Sequence, residues 1–303
     1  MNVIFMGTPD YAEKILQKLF DTKDINVSVV YTQPDKPVGR KKIMTAPVVK
    51  TLAMKYNVPV YQPTRLRDEE TVQKLKTIAC DYIVVAAYGQ ILPKEILTYA
   101  PCINLHASIL PHYRGASPIQ QVLLNGDTKT GVTAMLMDEG LDTGAILKVK
   151  TIDVADDEMV EELFDALTDV ATDLTIDVLE NFSSLSPIKQ DETQATHCKK
   201  ITKADGEVSF DDAVELFNKY RAFTPWPGIY LSSGLKLKKI ALQEREKEFD
   251  EAGKIIAIDK DSIVVTCKRG AIRIFRVQPN SKKEMDITSY INGKRVVLED
   301  TLS

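Results

Sequence analysis

Asn104 and His106 stand two residues apart at the end of the short apolar run Cys-Ile-Asn-Leu-His, which passes into a loop at Pro111. On an extended backbone, residues two apart leave the same face. A neutral amide donor beside an imidazole suits a reaction at a carbonyl. The amide holds a developing oxyanion, and the imidazole donates to it or relays a proton. The plainer alternative is that both side chains satisfy backbone groups at a strand end. A carboxylate is available further on, in Asp138-Glu-Gly-Leu-Asp142-Thr-Gly144. Its two glycines and two aspartates make a turn that brings a carboxylate close to a ligand.

Other chemistries lack residues. The cysteines, at 80, 102, 198 and 267, include no Cys-x-x-Cys pair, and the histidines are confined to 106, 112 and 197. A catalytic metal takes about three protein ligands, so no metal is expected. No Gly-x-Gly occurs, and no P-loop, which leaves a nicotinamide cofactor or an NTPase without support. No run reaches the roughly 18 apolar residues of a membrane span. The opening residues read as a first strand rather than a signal peptide, so the expected location is cytoplasmic. The formal charge of −4 hides an asymmetry. Residues 1–200 carry 21 basic and 27 acidic side chains, whereas residues 201–303 carry 18 and 16. A basic second half is compatible with a polyanionic partner held at one end.

The elements that must position these residues follow from periodicity. Residues 2–6 are a β-rich apolar run ending in Gly7-Thr-Pro-Asp10, and apolar spacing from Ala12 to Phe20 follows a helix face. Strand, tight glycine turn and helix open a doubly wound α/β unit. Residues 82–87 form an uninterrupted apolar run typical of a central parallel strand. The turn after it, residues 88–93, exposes apolar side chains, either as core closure or as one wall of a pocket for a flat ring. Strands are expected at 27–31, 58–61, 132–137 and 145–153, and a long amphipathic helix over about 156–182. The connection over residues 33–46 exceeds the roughly 2–6 residues of an ordinary βα loop. It carries Lys36, Arg40, Lys41 and Lys42, as a solvated surface loop or as a phosphate-contacting one. Residues 1–182 are expected to form one domain, 183–206 a polar linker, and 207–303 a second domain. Its five or so short strands suggest a small antiparallel barrel of OB-like type.

Taken together, these segments resemble the methionyl-tRNA formyltransferase family over essentially the full length. The resemblance rests on Gly7-Thr-Pro-Asp10, Gln33-Pro-Asp-Lys-Pro-Val-Gly-Arg40, Ala87-Tyr-Gly-Gln-Ile-Leu-Pro93, Asn104-Leu-His-Ala-Ser-Ile-Leu-Pro111 and Gly140-Leu-Asp-Thr-Gly144. Ala222-Phe-Thr-Pro-Trp-Pro227 and Gln278-Pro-Asn-Ser-Lys-Lys-Glu-Met285 continue it in the same order. Asn-x-His, Ser-[Ile/Leu]-Leu-Pro and the later Asp are shared with a broader set of folate-dependent formyltransferases. The basic loop and the Gln-Pro-x-x-Lys-Lys-x-Met segment point to the tRNA-using branch. Two departures stand out: Arg40 is followed directly by Lys41-Lys42, where a glycine commonly intervenes, and Ala107 replaces the more usual glycine.

The resemblance implies a Rossmann-like catalytic domain with a mostly parallel sheet. It implies 10-formyltetrahydrofolate as formyl donor and initiator methionyl-tRNA as acceptor, without a metal. Asn104 and His106 would stabilise the oxyanion, and Asp142 would orient His106 and help move the proton. Ser108, Ile109, Leu110 and Pro111, with Ile91 and Leu92, would wall the folate pocket. Arg40, Lys41 and Lys42 would reach the acceptor stem, the barrel would clamp the rest of the tRNA through phosphates, and a monomer is expected. His112, His197 and Trp226 are read as structural. Rival readings are a formyltransferase acting on a sugar-nucleotide amine, with the same three catalytic residues, a glycinamide ribonucleotide formyltransferase, which matches only the first domain, and an RNA-binding module without turnover.

Overall fold

The computed structural model describes residues 1–39 and 41–302. The chain opens with β1 (Asn2–Gly7), α1 (Asp10–Asp21) and β2 (Asn26–Tyr31), then a hairpin of β3 (Lys36–Val38) and β4 (Ile43–Thr45). Next come α2 (Val48–Lys55), β5 (Val60–Tyr61), α3 (Glu69–Lys76), β6 (Tyr82–Ala86), α4 (Lys94–Leu97) and β7 (Cys102–His106). They are followed by β8 (Arg114–Gly115), α5 (Pro118–Asn125), β9 (Lys129–Leu136), β10 (Ile146–Asp153), α6 (Val160–Asn181) and β11 (His197–Cys198). The remainder holds α7 (Ala213–Phe223), β12 (Ile229–Tyr230), β13 (Lys236–Glu248), β14 (Ile255–Ile258), β15 (Ile263–Thr266), β16 (Arg269–Gln278), β17 (Met285–Asp286) and α8 (Ile287–Lys294).

Two compact units result. Met1–Pro118, Lys129–Asp153 and Phe164–Cys198 form the first; Ile119–Thr128, Val154–Leu163 and the chain from Lys199 onward form the second. In the first, the sheet order is β10-β9-β7-β6-β1-β2-β5. The ladders β5-β2-β1-β6-β7 are parallel, while β9 and β10 run antiparallel at one edge. The parallel strands are buried on both faces, which is why they read as continuous apolar runs. On one face Ile4, Met6, Val29, Tyr31, Ile83 and Val85 pack with Leu66, with Val72 and Leu75 of α3, and with Ile96 of α4. Tyr11 of α1 meets Phe164 of α6 edge to face.

β7 positions the chemistry. It pairs with β6 through Val85 and Asn104, and with β9 through Asn104–Met135 and His106–Thr133. Flanked on both sides, it holds Asn104 and His106 on one face, two residues apart, as the spacing predicts.

The segment expected as a polar linker, 183–206, differs from that expectation. Ile188 exchanges backbone hydrogen bonds with Ile146, both 2.8 Å. β11 pairs in parallel with β8, and Gln190 and Cys198 are buried. Its polar side chains bond to loop backbone instead of presenting an apolar face, so no periodicity announced it. The long loop is also more regular than expected. Its β3–β4 hairpin is rooted by Asp35, whose carboxylate accepts from Lys50 Nζ (2.9 Å) and Gln62 Nε2 (2.7 Å). The Gln62 bond first, then Lys50, holds that carboxyl below the usual carboxylate range.

In the second unit the strands are antiparallel throughout, in the order β12-β13-β16-β15-β14 with β17 on β16. The ends of that ladder are covered: Glu207 bridges Tyr230, and Thr301 bridges Lys254. Such cover protects edges that would otherwise invite pairing with another chain. Trp226, read from the sequence as structural, is exposed between Pro225 and Pro227.

The turn after β1 needs glycine for space. A β-carbon on Gly7 would lie 2.5 Å from Ala12 Cβ and 2.8 Å from Phe5 Cε1. Gly7→Ala is therefore expected to lower unfolding stability by about 1–3 kcal/mol, measured by denaturant titration; an unchanged midpoint would contradict this packing.

Candidate active site

At the end of β7 three side chains converge. Asn104 Nδ2 lies 3.5 Å from Asp142 Oδ1, and His106 Nδ1 lies 3.7 Å from Asp142 Oδ2. His106 and Asp142 side chains are about nine-tenths buried. The other imidazole nitrogen, Nε2, sits 2.9 Å from the Tyr113 carbonyl oxygen. A carbonyl only accepts, so the Nε2 proton is committed there and Nδ1 is left facing the carboxylate.

Asp142 is built in with care. The Gly115 backbone N–H donates to its Oδ2 at 2.8 Å, a charge-assisted bond of the stronger kind. Its backbone is left-handed, φ 55°, and two other non-glycine residues near the site share that region, Ala87 (φ 45°) and Tyr113 (φ 61°). Strained residues in loops beyond strand ends are a recurrent mark of working sites. Gly115 has φ 119°, and a β-carbon there would meet the Cys198 carbonyl oxygen at 2.3 Å. Glycine is what lets β8 approach β11 and aim its N–H at Asp142.

The loop from Ala107 to Pro111 is locked to β9. Thr133 Oγ donates to the Ser108 carbonyl (2.6 Å) and accepts from the Leu110 N–H (3.1 Å). Ser108 Oγ is used on the His112 carbonyl at 2.6 Å. Ala107 is buried with an ordinary backbone, so the departure from glycine brings no strain.

The six residues expected around a folate fall into two groups. Ser108, Leu110 and Leu92 are buried, so any contact they make is through backbone, whereas Ile109 and Pro111 are half-buried. Ile91 is 83% exposed, and so, at 65%, is Leu141 beside Asp142. Lys94 pairs with Glu139 at 3.6 Å, which sets the turns bearing Ile91 and Leu141 alongside each other. Two exposed aliphatics on adjoining loops give an apolar edge suited to a flat ring. Lys41 and Lys42 are exposed near the hairpin tip with Val38, Ile43 and Met44; Arg40 lies outside the described residues.

Sequence reasoning missed the layer behind Asp142. Arg114, 2% exposed, donates through Nε (3.0 Å) and Nη2 (2.8 Å) to Gln190 Oε1. Its Nη1 and Nη2 also reach Glu192, both at 2.9 Å. Gln190 Nε2 donates to the Asp142 carbonyl (2.8 Å) and to the Gly144 carbonyl (2.7 Å). The hydrogen bonds to Glu192 raise the Arg114 pKa, and the same contact holds the Glu192 carboxyl low. A signal was present in Arg114, a cation just after the loop that contains Pro111, but its partners lie 76 and 78 residues away.

Among the described residues no three His, Cys, Asp or Glu side chains group as metal ligands, and no helix is long and apolar enough to cross a membrane.

The chain is similar to known proteins along its whole length. Residues 1–179 match the formyl transferase family model, and residues 200–295 match the formyl transferase C-terminal domain. A methionyl-tRNA formyltransferase of Sulfurimonas denitrificans is 67% identical over 303 residues, covering 100% of both chains. One from Nitratiruptor is 55% identical, with 99% of each chain covered. Among solved structures, the N-formyltransferase of Helicobacter canadensis bound to folinic acid and dTDP-3-aminofucose superposes with a TM-score of 0.68 at 17% identity. It covers 91% of this chain and 99% of its own. HypX of Aquifex aeolicus covers 100% of this chain and 51% of its own, with a TM-score of 0.63 at 15% identity. At these identities the structures establish a shared fold.

Thr133→Val keeps the shape of the side chain but strands two backbone groups. We expect a stability loss of roughly 1–3 kcal/mol for each group left unpaired, read from urea unfolding; a loss under about 0.5 kcal/mol would show that the loop does not depend on this hydroxyl.

Proposed function

Given that this chain belongs to the methionyl-tRNA formyltransferase family, we propose that Asn104, His106 and Asp142 carry its reaction. The chain transfers the formyl group of 10-formyltetrahydrofolate to the α-amino group of methionyl initiator tRNA, giving the formylated tRNA for translation initiation. What supports the residue assignment is the convergence of an amide, an imidazole and a carboxylate within 3.5 and 3.7 Å at the end of one buried strand.

The donor set fits a formyl carrier. At 3.5 and 3.7 Å, Asn104 Nδ2 and His106 Nδ1 are not tightly committed to Asp142. With Nδ1 protonated as well as Nε2, a formyl oxygen placed between them receives hydrogen bonds from both fixed groups as negative charge develops on it. Because Nε2 is tied to the Tyr113 carbonyl, the ring does not reorient, and Nδ1 with Asp142 Oδ2 forms a pair that accommodates a proton between them. That pair is the route by which the proton leaving the attacking amine is passed, through water, towards the departing nitrogen. The backbone of the 108–111 loop, with Ile91 and Leu92, borders the folate ring.

Lys41 and Lys42, with Arg40 beside them in sequence, are assigned to the acceptor stem. The connection over 33–46 is long, and its hairpin is exposed and rooted through Asp35, a design with no use against a small amine but suited to a phosphate backbone. Its exposed Ile43 and Met44 add an apolar surface at the same place. Residues 201–303, with 18 basic and 16 acidic side chains, bind the remainder of the tRNA through phosphates.

His106→Ala and Asp142→Asn are each expected to cut turnover by about a hundredfold or more, the equivalent of roughly 2.7–4 kcal/mol of transition-state stabilisation. Folate binding should largely survive. A near-normal turnover number in either variant would rule the assignment out. For the acceptor, formylation of methionyl-tRNA is measured against a dTDP-amino-sugar; preference for the sugar would favour the sugar-nucleotide reading. Lys41→Ala with Lys42→Ala should raise the KM for tRNA and lower the salt slope of binding by about one for each phosphate no longer neutralised. An unchanged slope would remove those lysines from the acceptor interface.

A further inference from the structure

The amide of Gln190 is fully used. Its oxygen accepts from Arg114 Nε and Nη2, and its nitrogen donates to the carbonyls of Asp142 and Gly144. No bonding capacity remains, and the orientation is unambiguous: Arg114 offers only donors, and the two carbonyls only accept. The side chain is 4% exposed, on a segment that lies between the two matched family regions, residues 1–179 and 200–295. What it grips is the main chain on both sides of Thr143, in the turn that presents the candidate catalytic carboxylate.

That turn needs holding. Asp142 has a left-handed backbone (φ 55°), a conformation that costs a non-glycine residue of order 1–3 kcal/mol unless its surroundings impose it. Two constraints meet there. The Gly115 N–H fixes the carboxylate, and the Gln190 amide fixes the peptide carbonyl of the same residue. Arg114 and Gly115 are consecutive in β8, which pairs with β11, and β11 follows Gln190 by seven residues. Both restraints on Asp142 therefore run through β8: Gly115 directly, and Gln190 through Arg114.

We propose that Gln190 is a positioning residue for formyl transfer: anchored by Arg114, it holds Asp142 in the left-handed conformation from which its carboxylate reaches His106 and Asn104. This rests on the reading of Asp142 as a catalytic group. The segment 188–198 is thus a working part of the catalytic machinery rather than a tether. Gln190 touches no reacting atom; it acts through the backbone of Asp142.

The test is steady-state formylation of methionyl-tRNA by the full chain. Gln190→Glu keeps size and the Arg114 pairing but turns a carboxylate oxygen on two carbonyls; Gln190→Met is neutral and of similar length. Each is compared with wild type and combined with Asp142→Asn, with a thermal melt on every variant. We expect kcat to fall roughly tenfold to a hundredfold, as for a catalytic group displaced by a fraction of an ångström to an ångström. The KM for the formyl donor should stay within about threefold, and either change should cost less than about twofold in the Asp142→Asn background, since residues acting as a unit are not additive. A folded variant with kcat within about twofold of wild type, or a loss as large in the Asp142→Asn background as in wild type, overturns the proposal. So does loss of the cooperative melt in both variants, which would make Gln190 a purely structural residue. A wild-type chain that does not formylate methionyl-tRNA, or an Asp142→Asn variant with full turnover, would instead remove the underlying reading of the site.

Discussion

One carboxylate is restrained from several directions, and the rest of the site is arranged around it. Asp142 receives a backbone N–H from Gly115 at 2.8 Å, faces His106 Nδ1 at 3.7 Å and lies 3.5 Å from Asn104 Nδ2. A charged group about nine-tenths removed from water is stable only where donors replace its hydration. Here the Gly115 backbone amide of β8 donates directly, while the Asn104 amide and the His106 imidazole face the carboxylate from β7 at the limit of hydrogen-bond distance and just beyond it. The sheet supplies two of them through β7, whose pairing with β6 and β9 allows no slip. A one-residue shift would turn both Asn104 and His106 to the opposite face, away from Asp142, so strand register fixes the geometry of the site as much as that of the sheet.

How much of this was legible in the sequence depends on the range of each interaction. Asn104 and His106 were readable because period-two alternation is local and the run around them is apolar. Asp142 announced itself through the flanking Gly140 and Gly144, whose added β-carbons would lie 2.0 Å from Thr143 Oγ and 1.7 Å from the Leu136 carbonyl oxygen. The parallel strands were readable because burial on both faces leaves an unbroken apolar run. Gln190 and Glu192 were not, since each meets Arg114 across more than seventy residues and neither sits in a periodic pattern. The β3–β4 hairpin escaped for another reason. Every residue in its strands is exposed, so no inside and outside exist to produce alternation. Proline and glycine there read as loop, although Gly39 (φ 70°) and Lys42 (φ 48°) shape a turn between short strands.

The two units treat polar groups differently. In the first, buried polar side chains such as Ser108, Thr133 and Gln190 crowd the strand ends and bond mainly to loop backbone. Loops that carry function lack the repeating ladders of helices and strands, so side chains must satisfy their backbone. In the second unit charged pairs lie mainly at the surface, as in Lys268–Asp211 and Arg276 with Glu284 and Asp286. Exposed pairs of that kind contribute little to stability, typically about 0–1 kcal/mol. A surface of exchangeable charges is better suited to meeting phosphates than to holding one geometry.

The Arg114–Glu192 pair belongs to neither pattern, and its asymmetry says what it is for. The guanidinium is 2% exposed while the Glu192 side chain is 61% exposed, so water screens half of the pair. The Coulomb attraction gained is correspondingly modest, whereas removing a buried arginine from water is costly. As a stability device, an apolar side chain of similar volume at position 114 would serve at least as well. What an apolar side chain cannot do is present two N–H groups in a rigid fork to Gln190 Oε1 while two further hydrogen bonds tie the same plane to Glu192. With the amide oxygen occupied, the Gln190 nitrogen has one orientation available, towards the carbonyls of Asp142 and Gly144. The cation is therefore retained for direction: it converts a surface carboxylate into a fixed orientation of a buried amide, and through it into the placement of the turn on which Asp142 sits.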